Sequence, residues 1–478
     1  MASATISSLG VGSGLDLQTL YTNLENAEKT KLTTITNQQT SYNAQLSAFS
    51  KLQSAMQTLN TATAALSKTD TWNATAVGST NNSFTATTAT GATVGSYTVQ
   101  VKSLAKAQVL TTASQTSATS QLGTTTGGTR TITIGQAGST KPLTVTLDDS
   151  DTSLNGIASA INKANGNVTA TVIKAKDGDY TLMLTSKTSG TANDMTVSVT
   201  GDSTLQSIIG YDSSTHTGVM NQQTASQNSQ VIINDITIER STNTITDALP
   251  GITLSLKNES TSSENLNVTR AADTTQKAIT DWVTAYNALQ STITSVTKYV
   301  KVDAGESQSA NNGALIGDST VRSVQSQLRG LLTEVQSGSY AILAQLGVTQ
   351  DTATGADGSL GNLKVDSTKL SKALTDNPEA VQEYFTGDGK TTGLATQMGT
   401  TLTNMLSTTV GKEGIIKNAT DGINTTLKTL DNRYDAMEAN IEATMARYKA
   451  QFTNLDTLMS KMNNTSTYLK QQFSSSSS

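Results

Sequence analysis

The chain has no cysteine, which excludes disulfides, thiol nucleophiles and cysteine-ligated zinc or iron–sulfur centres. One histidine, His216, leaves no second imidazole for a Ser-His-Asp triad or a multi-histidine metal site. Proline is nearly absent: Pro142, Pro250 and Pro378 are the three among 478 residues, and aromatics make up 4%. Charged residues amount to 14%, against about 25% in an ordinary globular domain. Acids outnumber bases 37 to 32, for a net charge of −5, and no dense Lys/Arg stripe exists to neutralise phosphates. That argues against a nucleic-acid binder. No stretch approaches the length of about 18 apolar residues that crosses a bilayer, so no membrane insertion is expected. The first basic residue is Lys29, and residues 1–24 hold no short apolar block of the kind a secretory leader carries. The expectation is residence in the cytosol or export without a cleaved hydrophobic leader.

What remains is uncharged and polar: Ser, Thr, Asn and Gln fill roughly two-fifths of the chain, against 35% hydrophobic residues. Such a composition suits thin β-sheets and extended assemblies better than one large core. Apolar residues nevertheless recur with clean periods along most of the length, so the chain folds, and its length predicts about three domains.

Both ends read as long amphipathic helices. After Gly10-Val11-Gly12-Ser13-Gly14, apolar residues fall at Leu17, Leu20, Leu24, Ala27, Leu32, Ile35, Tyr42, Leu46, Phe49, Leu52, Met56, Leu59 and Leu66. Steps of three, four and seven make this a coiled-coil seam, and neither Gly nor Pro interrupts residues 16–76. Ser13 followed by Asp16 predicts a capping box at its start. The carboxy-terminal seam repeats the pattern through Ile423, Leu427, Leu430, Tyr434, Met437, Ile441, Met445, Tyr448, Phe452, Leu455, Met459, Met462, Leu469 and Phe473. Fifty such residues make a rod of about 75 Å. An amphipathic helix alone is marginal, so each stripe needs a partner surface. Two compatible readings stand: a helical hairpin closing the chain ends together, and an intermolecular bundle.

Residues 73–270 are β in character. Alternation predicts strands at Ser96–Val101, Thr131–Ile134, Leu143–Leu147, Val168–Val172, Met195–Thr200, Val231–Ile233, Ile236–Ile238 and Ile252–Leu256. Asp177-Gly178 predicts a hairpin turn, and Leu154, Ile157, Ala158 and Ile161 predict one helix face within Ser153–Ala164. Residues 221–229 read as a polar connector. Helices return after Asp273, with stripes at Ile279–Ile293 and Val321–Leu331, and Asn377-Pro378 starts another through Phe385.

Candidate chemistry is thin. Gly10–Gly14 lacks the GxGxxG spacing, a preceding strand and a following Lys, and reads as a flexible lead-in to the helix. Asp148-Asp149-Ser150-Asp151 does not match an EF-hand loop and reads as an acidic turn before a helix. His216 sits in a polar loop. Trp72 and Trp282 read as separate anchors at domain joints. No carboxylate pair is marked by an apolar setting that would split its pKa values, so neither catalytic residue nor metal site nor cofactor is expected.

Several segments stand out together: Ile6–Asp16 with Ala27-Glu28, Asn243–Leu254 around Pro250-Gly251, Leu346-Gly347-Val348 with Gly358–Leu360 and Leu363–Ser367, Asn377–Val381 with Phe385, and Arg447–Asp456 with Met459 and Tyr468-Leu469. In these segments and their order the chain resembles the flagellar hook-associated protein 2 family of bacterial flagellar filament caps. Residues 131–199, centred on Ala160-Ile161-Asn162 and Val168-Thr169-Ala170, are similar to the flagellin hook IN motif. The resemblance implies an α+β multidomain fold: a terminal coiled coil, a mainly helical middle domain and two nested antiparallel β-rich head domains. The expected limits are 1–42 with 429–478 for the leg, 43–73 with 272–428 for the helical domain, 74–122 with 227–271 for the inner head and 123–226 for the outer head.

The same resemblance implies a structural role at the distal filament tip, promoting flagellin polymerisation and preventing loss of exported monomers. The implied partners are further copies in a ring (a pentamer expected, a tetramer or hexamer the alternatives), flagellin, an export chaperone, the type III export apparatus and the hook–filament junction proteins. The expected assembly seam is Leu17, Leu20, Leu24, Leu32, Ile35, Tyr434, Met437, Ile441, Met445, Tyr448, Phe452, Leu455, Met459, Met462 and Leu469. The rival reading is a surface adhesin or phage-fibre-like protein with a β head on a helical stalk. A fibre usually carries its head at one chain end, whereas here both ends are stalk and the head is inserted.

Overall fold

A computed structural model describes residues 9–11, 13–78, 80–124, 128–355 and 358–475. The chain divides into two compact units, residues 1–72 with 272–478 and residues 73–271. It enters through α1 (Leu17–Leu66) and the single turn α2 (Thr69–Trp72), then builds the second unit before returning to the first.

The second unit holds two β cores, and every strand pair among its described residues is antiparallel. One core combines a five-stranded sheet with a three-stranded one. The first orders β1 (Thr75–Val77), β17 (Glu264–Arg270), β3 (Gly95–Ser103), β13 (Ser229–Ile233) and β14 (Ile236–Arg240), and the second β15 (Thr244–Leu249), β16 (Ile252–Leu256) and β2 (Phe84–Thr88). Strand alternation builds it directly: Val99 and Val101, Val231 and Ile233, and Ile252, Leu254 and Leu256 all point into one cluster with Phe84. The β13–β14 turn is Asn234-Asp235, both residues at positive φ (47° and 65°), the conformation a two-residue type I′ hairpin requires.

The other core lies between a sheet ordered β11 (Thr217–Gly218), β10 (Tyr211–Asp212), β9 (Met195–Thr200), β5 (Arg130–Gln136), β6 (Leu143–Leu147) and one ordered β12 (Asn221–Thr224), β4 (Val109–Thr111), β8 (Asp179–Ser186), β7 (Val168–Lys176). Helices α3 (Leu154–Lys163) and α4 (Ser203–Ile209) complete it. Ser153 caps α3 by accepting from the Gly156 amide, and Leu154, Ile157, Ala158 and Ile161 are all buried, as their spacing predicts. The β7–β8 turn carries Gly178 at φ 75°, where a side chain would be strained. Residues 221–229 are not a mere connector: Asn221–Thr224 form an edge strand on β4, and Lys106 bridges to Gln227. An edge strand facing solvent tolerates the polar side chains that made this stretch read as a linker.

Arg130 is buried here with its charge fully engaged. Its Nε donates to Asp202 Oδ2 at 2.7 Å, and its other nitrogens reach Asp149 and the Thr124 carbonyl. Asp202 also caps α4 by accepting from the Leu205 amide, and it accepts from the Thr124 amide and hydroxyl. Burial alone would push this carboxyl up; the Leu205 amide, the Arg130 guanidinium and the Thr124 donors outweigh it and hold it at about 2. A depressed folded-state value means stability present at neutral pH and lost as pH falls from the usual carboxylate range toward about 2. Asp202→Asn is expected to destabilise the second unit by about 2 kcal/mol at pH 7, because it removes the buried carboxylate at Arg130 Nε and leaves the guanidinium only the half-exposed Asp149 as a charged partner. It should also flatten the acid limb of the unfolding profile; urea titrations at pH 7 and pH 3 check both. Asp149, from the acidic stretch before α3, lies in a short 3-10 turn and serves this network.

From residue 272 the first unit adds α5 (Ala272–Thr297), α6 (Ser319–Thr333), the hairpin β18 (Val348–Gln350) and β19 (Leu363–Val365), α7 (Ser367–Asp376), α8 (Pro378–Thr386), α9 (Leu394–Leu406) and α10 (Ile415–Ser475). One continuous core joins them to the second half of α1. Pro378 opens α8 at its first turn, where a missing amide hydrogen costs nothing. Trp72 and Trp282 are not separate anchors. Both meet Phe385, with ring centroids 5.5 and 6.2 Å away, in that same core. Burial pushes the adjoining Tyr384 hydroxyl up to about 12.

Candidate assembly seam

The seam is built by α1 and α10, the two longest helices, which pack along each other in the first unit. Two hydrogen bonds set their direction. Gln39 Nε2 donates to Asp431 Oδ1 and the Ser13 amide donates to Asp456 Oδ1, both at 2.7 Å. The pairs lie 26 residues apart on one side and 25 on the other, so the helices run antiparallel in a constant register. This register sets Leu17 opposite Phe452, Leu24 opposite Met445 and Ile35 opposite Tyr434, to within a residue.

Asp16 caps α1 by itself, accepting from the Thr19 amide at 3.1 Å, and the Thr19 hydroxyl and amide hold its carboxyl below the usual range. The expected capping box from Ser13 is therefore wrong. Ser13 instead fastens the start of the chain to α10: besides the Asp456 bond, its carbonyl accepts from Asn463 Nδ2 at 3.4 Å. Nor is the described part of the glycine-rich start a loose lead-in. The Gly14 amide donates to the Gly10 carbonyl at 2.9 Å, and Gly10 has φ 95° with its α-carbon so close to Leu15 O that a Cβ would sit 2.1 Å from it. Only glycine makes that turn. Gly12 lies outside the described residues. Sequence spacing alone held no signal for this fastening, since Ser13 and Asp456 are 443 residues apart.

Among the expected seam residues, Leu17, Ile35, Ile441 and Met445 are buried. Leu24, Leu32, Tyr434, Met437, Tyr448, Phe452 and Met459 are half-buried, and Leu20, Leu455, Met462 and Leu469 are exposed. The coverage is graded along α10. From Ile441 to Phe473 the positions 441, 445, 448, 452, 455, 459, 462, 466, 469 and 473 alternate steps of four and three, the 3.5-residue period of a coiled coil, and all but Ser466 are apolar. α1 reaches only the first part of that stripe. Past Met459 the stripe opens to solvent, with Met462 57% and Phe473 71% exposed. Tyr448 and Phe452 stack at 6.5 Å near where coverage ends. Ion pairs such as Lys29–Glu25 and Lys31–Glu28 are partly open to solvent and add little.

Among the described residues no group of three or more His, Cys, Asp or Glu stands ready for a metal ion. His216 is an exposed turn residue with φ 52°. No described helix is long and apolar enough to cross a membrane.

Comparison with known proteins agrees with this architecture. The chain matches the family models "Flagellar hook-associated protein 2 N-terminus" over residues 13–108, "Flagellin hook IN motif" over 131–188, and "Flagellar hook-associated protein 2 C-terminus" over 226–464. It is 46% identical over 476 residues to the flagellar hook-associated protein 2 of Escherichia coli strain K12, covering 99% of both chains. To the Salmonella typhimurium protein of the same name it is 44% identical, covering 98% of both. A crystal structure of D1-D2-D3 domains of the Escherichia coli flagellar cap protein FliD superposes with a TM-score of 0.64 at 43% identity, over 79% of this chain and 99% of that one. These matches give the adhesin reading no support. Family models spanning both ends and relatives similar along the whole length lead to one conclusion: the chain belongs to the flagellar hook-associated protein 2 family, the caps of the bacterial flagellar filament.

Proposed function

We propose that this chain is a non-catalytic cap at the distal filament tip, assembling with copies of itself into a ring that retains exported flagellin and lets it polymerise. A pentamer is the expected ring, with a tetramer or hexamer as alternatives. The protein leaves the cell through the flagellar type III route with an export chaperone, and hook–filament junction proteins are further partners. The carrying observation is the α10 stripe. The coiled-coil stripe runs on through Met462, Leu469 and Phe473, interrupted at Ser466, beyond the part of α10 that α1 covers, and exposed apolar surface of that kind favours association. The seam residues from Leu17 to Leu469 are accordingly assigned to assembly, with Leu455, Met462 and Leu469 facing other subunits. Three separate buried clusters support a division into a helical domain, an inner head and an outer head, with the paired ends as the leg.

The test is direct. Purified protein is expected to sediment as a ring-sized oligomer at high concentration and to decorate the ends of flagellin filaments in negative stain. A chain that stays monomeric and leaves filament ends bare would overturn the assignment.

A further inference from the structure

A cavity of about 540 Å³ lies in the first unit, a size that suits a small organic ligand. Its walls are mainly apolar, with Leu332, Leu343, Val348 and Leu363 among them. Among the described residues Arg329 is the one charged group that lines it. Arg329 on α6 and Gln350 on β18 turn side-chain nitrogens toward one spot. A Cβ on Gly361 would lie 3.2 Å from Arg329 Nη2 and 3.5 Å from Gln350 Nε2. Gly361 has φ 81°, where a side chain would be strained, so that spot stays open beside both donors. No carboxylate among the described residues pairs with Arg329, and the Gln350 side-chain amide makes no hydrogen bond there.

Tyr286, fully buried on α5, adds a third donor that is held in place. Its hydroxyl accepts from Gln290 Nε2 at 2.7 Å, and Gln290 Oε1 accepts from Gln325 Nε2 at 3.4 Å. The hydroxyl proton is thereby left for another acceptor. Burial pushes this phenol up, and the Gln290 amide and the Arg329 guanidinium beside it pull the other way. A neutral apolar guest would bury these donors unpaired. A phosphate dianion carries more acceptor positions than they fill, and it gains nothing from the apolar walls. We propose that the cavity binds an aliphatic carboxylate, its oxygens meeting Arg329, Gln350 and Tyr286 while its apolar body packs on Leu343, Val348 and Leu363. Two sources offer that chemistry, a free aliphatic acid and the carboxy terminus of a protein chain that ends in an apolar residue. The site goes beyond the cap reading and stands independently of the ring.

The probes are octanoate and the tripeptide N-acetyl-Thr-Thr-Leu with a free carboxy terminus, each titrated into the full chain by calorimetry. At least one is expected to bind and to shift the methyl resonances of Leu343, Val348 and Leu363, and the tighter of the two names the source. Octanamide and the tripeptide amide, which lack the charge, should each bind about tenfold more weakly than their acids. Arg329→Gln should weaken the acids by about the same factor and leave the amides unchanged. Arg329 is exposed, so the variant should fold, and an unchanged far-ultraviolet dichroism spectrum checks that. Silence from both acids, equal affinity for acid and amide, or tighter binding of octyl phosphate than of octanoate would each overturn the proposal.

Discussion

Phe385→Ala is expected to destabilise the first unit by about 4 kcal/mol, the range for emptying a large aromatic from a core. Phe385 is fully buried on α8 and touches rings from three directions: Trp72 on α2, Trp282 on α5 and its neighbour Tyr384 at 5.4 Å. These rings are held on different helices, so none can swing into the space without moving its own backbone. The cost therefore includes the cavity as well as the lost transfer energy and the edge-to-face contacts. Trp72 adds a second constraint, because its indole donates to the Leu66 carbonyl at 2.8 Å and ties α2 to the end of α1. Urea unfolding followed by tryptophan fluorescence reads this unit selectively, since both tryptophans lie in it. A loss below about 1 kcal/mol would show that the aromatic cluster is not the keystone of the helical core.

The elements easiest to read from the sequence are those whose period repeats several times. β9 and β16 occupy the residues that alternation assigns, and α3 buries the face its spacing marks. β17 was hidden because only Leu266 and Val268 in Glu264–Arg270 are apolar, too few repeats to stand out from polar neighbours. β15 carries a register shift between Ile245 and Leu249, which breaks the period itself. The short helix α7 turns on a side-chain cap from Asp366 to the Lys369 amide, a local bond that hydropathy does not report. At the seam the apolar stripe was legible, but its coverage was not. Which part of α10 meets α1 depends on where α1 begins and on the Ser13 and Gln39 bonds, and these join residues hundreds of positions apart.

That graded coverage sets the largest functional effect. The double change Phe452→Ser with Leu455→Ser is expected to leave residues 73–271 folded and to abolish filament growth. Phe452 is half-buried and stacked on Tyr448, and Leu455 is 39% exposed, so within one chain the pair contributes only about 2 kcal/mol. In the proposed ring the surface that Leu455 exposes within one chain is covered by a neighbouring copy, so serine there weakens each contact between copies, about tenfold for each 1.4 kcal/mol lost per contact. The substitutions also fall near where coverage by α1 ends and the open stripe begins, so they interrupt the coiled-coil period where the proposed assembly takes it over. A control at the far end, Leu52→Ala, lies in the helical core and should lower unfolding stability without a selective effect on oligomer size. Swimming assays, filament length in micrographs and the melting of the second unit separate the outcomes. Long filaments on cells carrying the double variant would mean that the stripe packs only within its own chain.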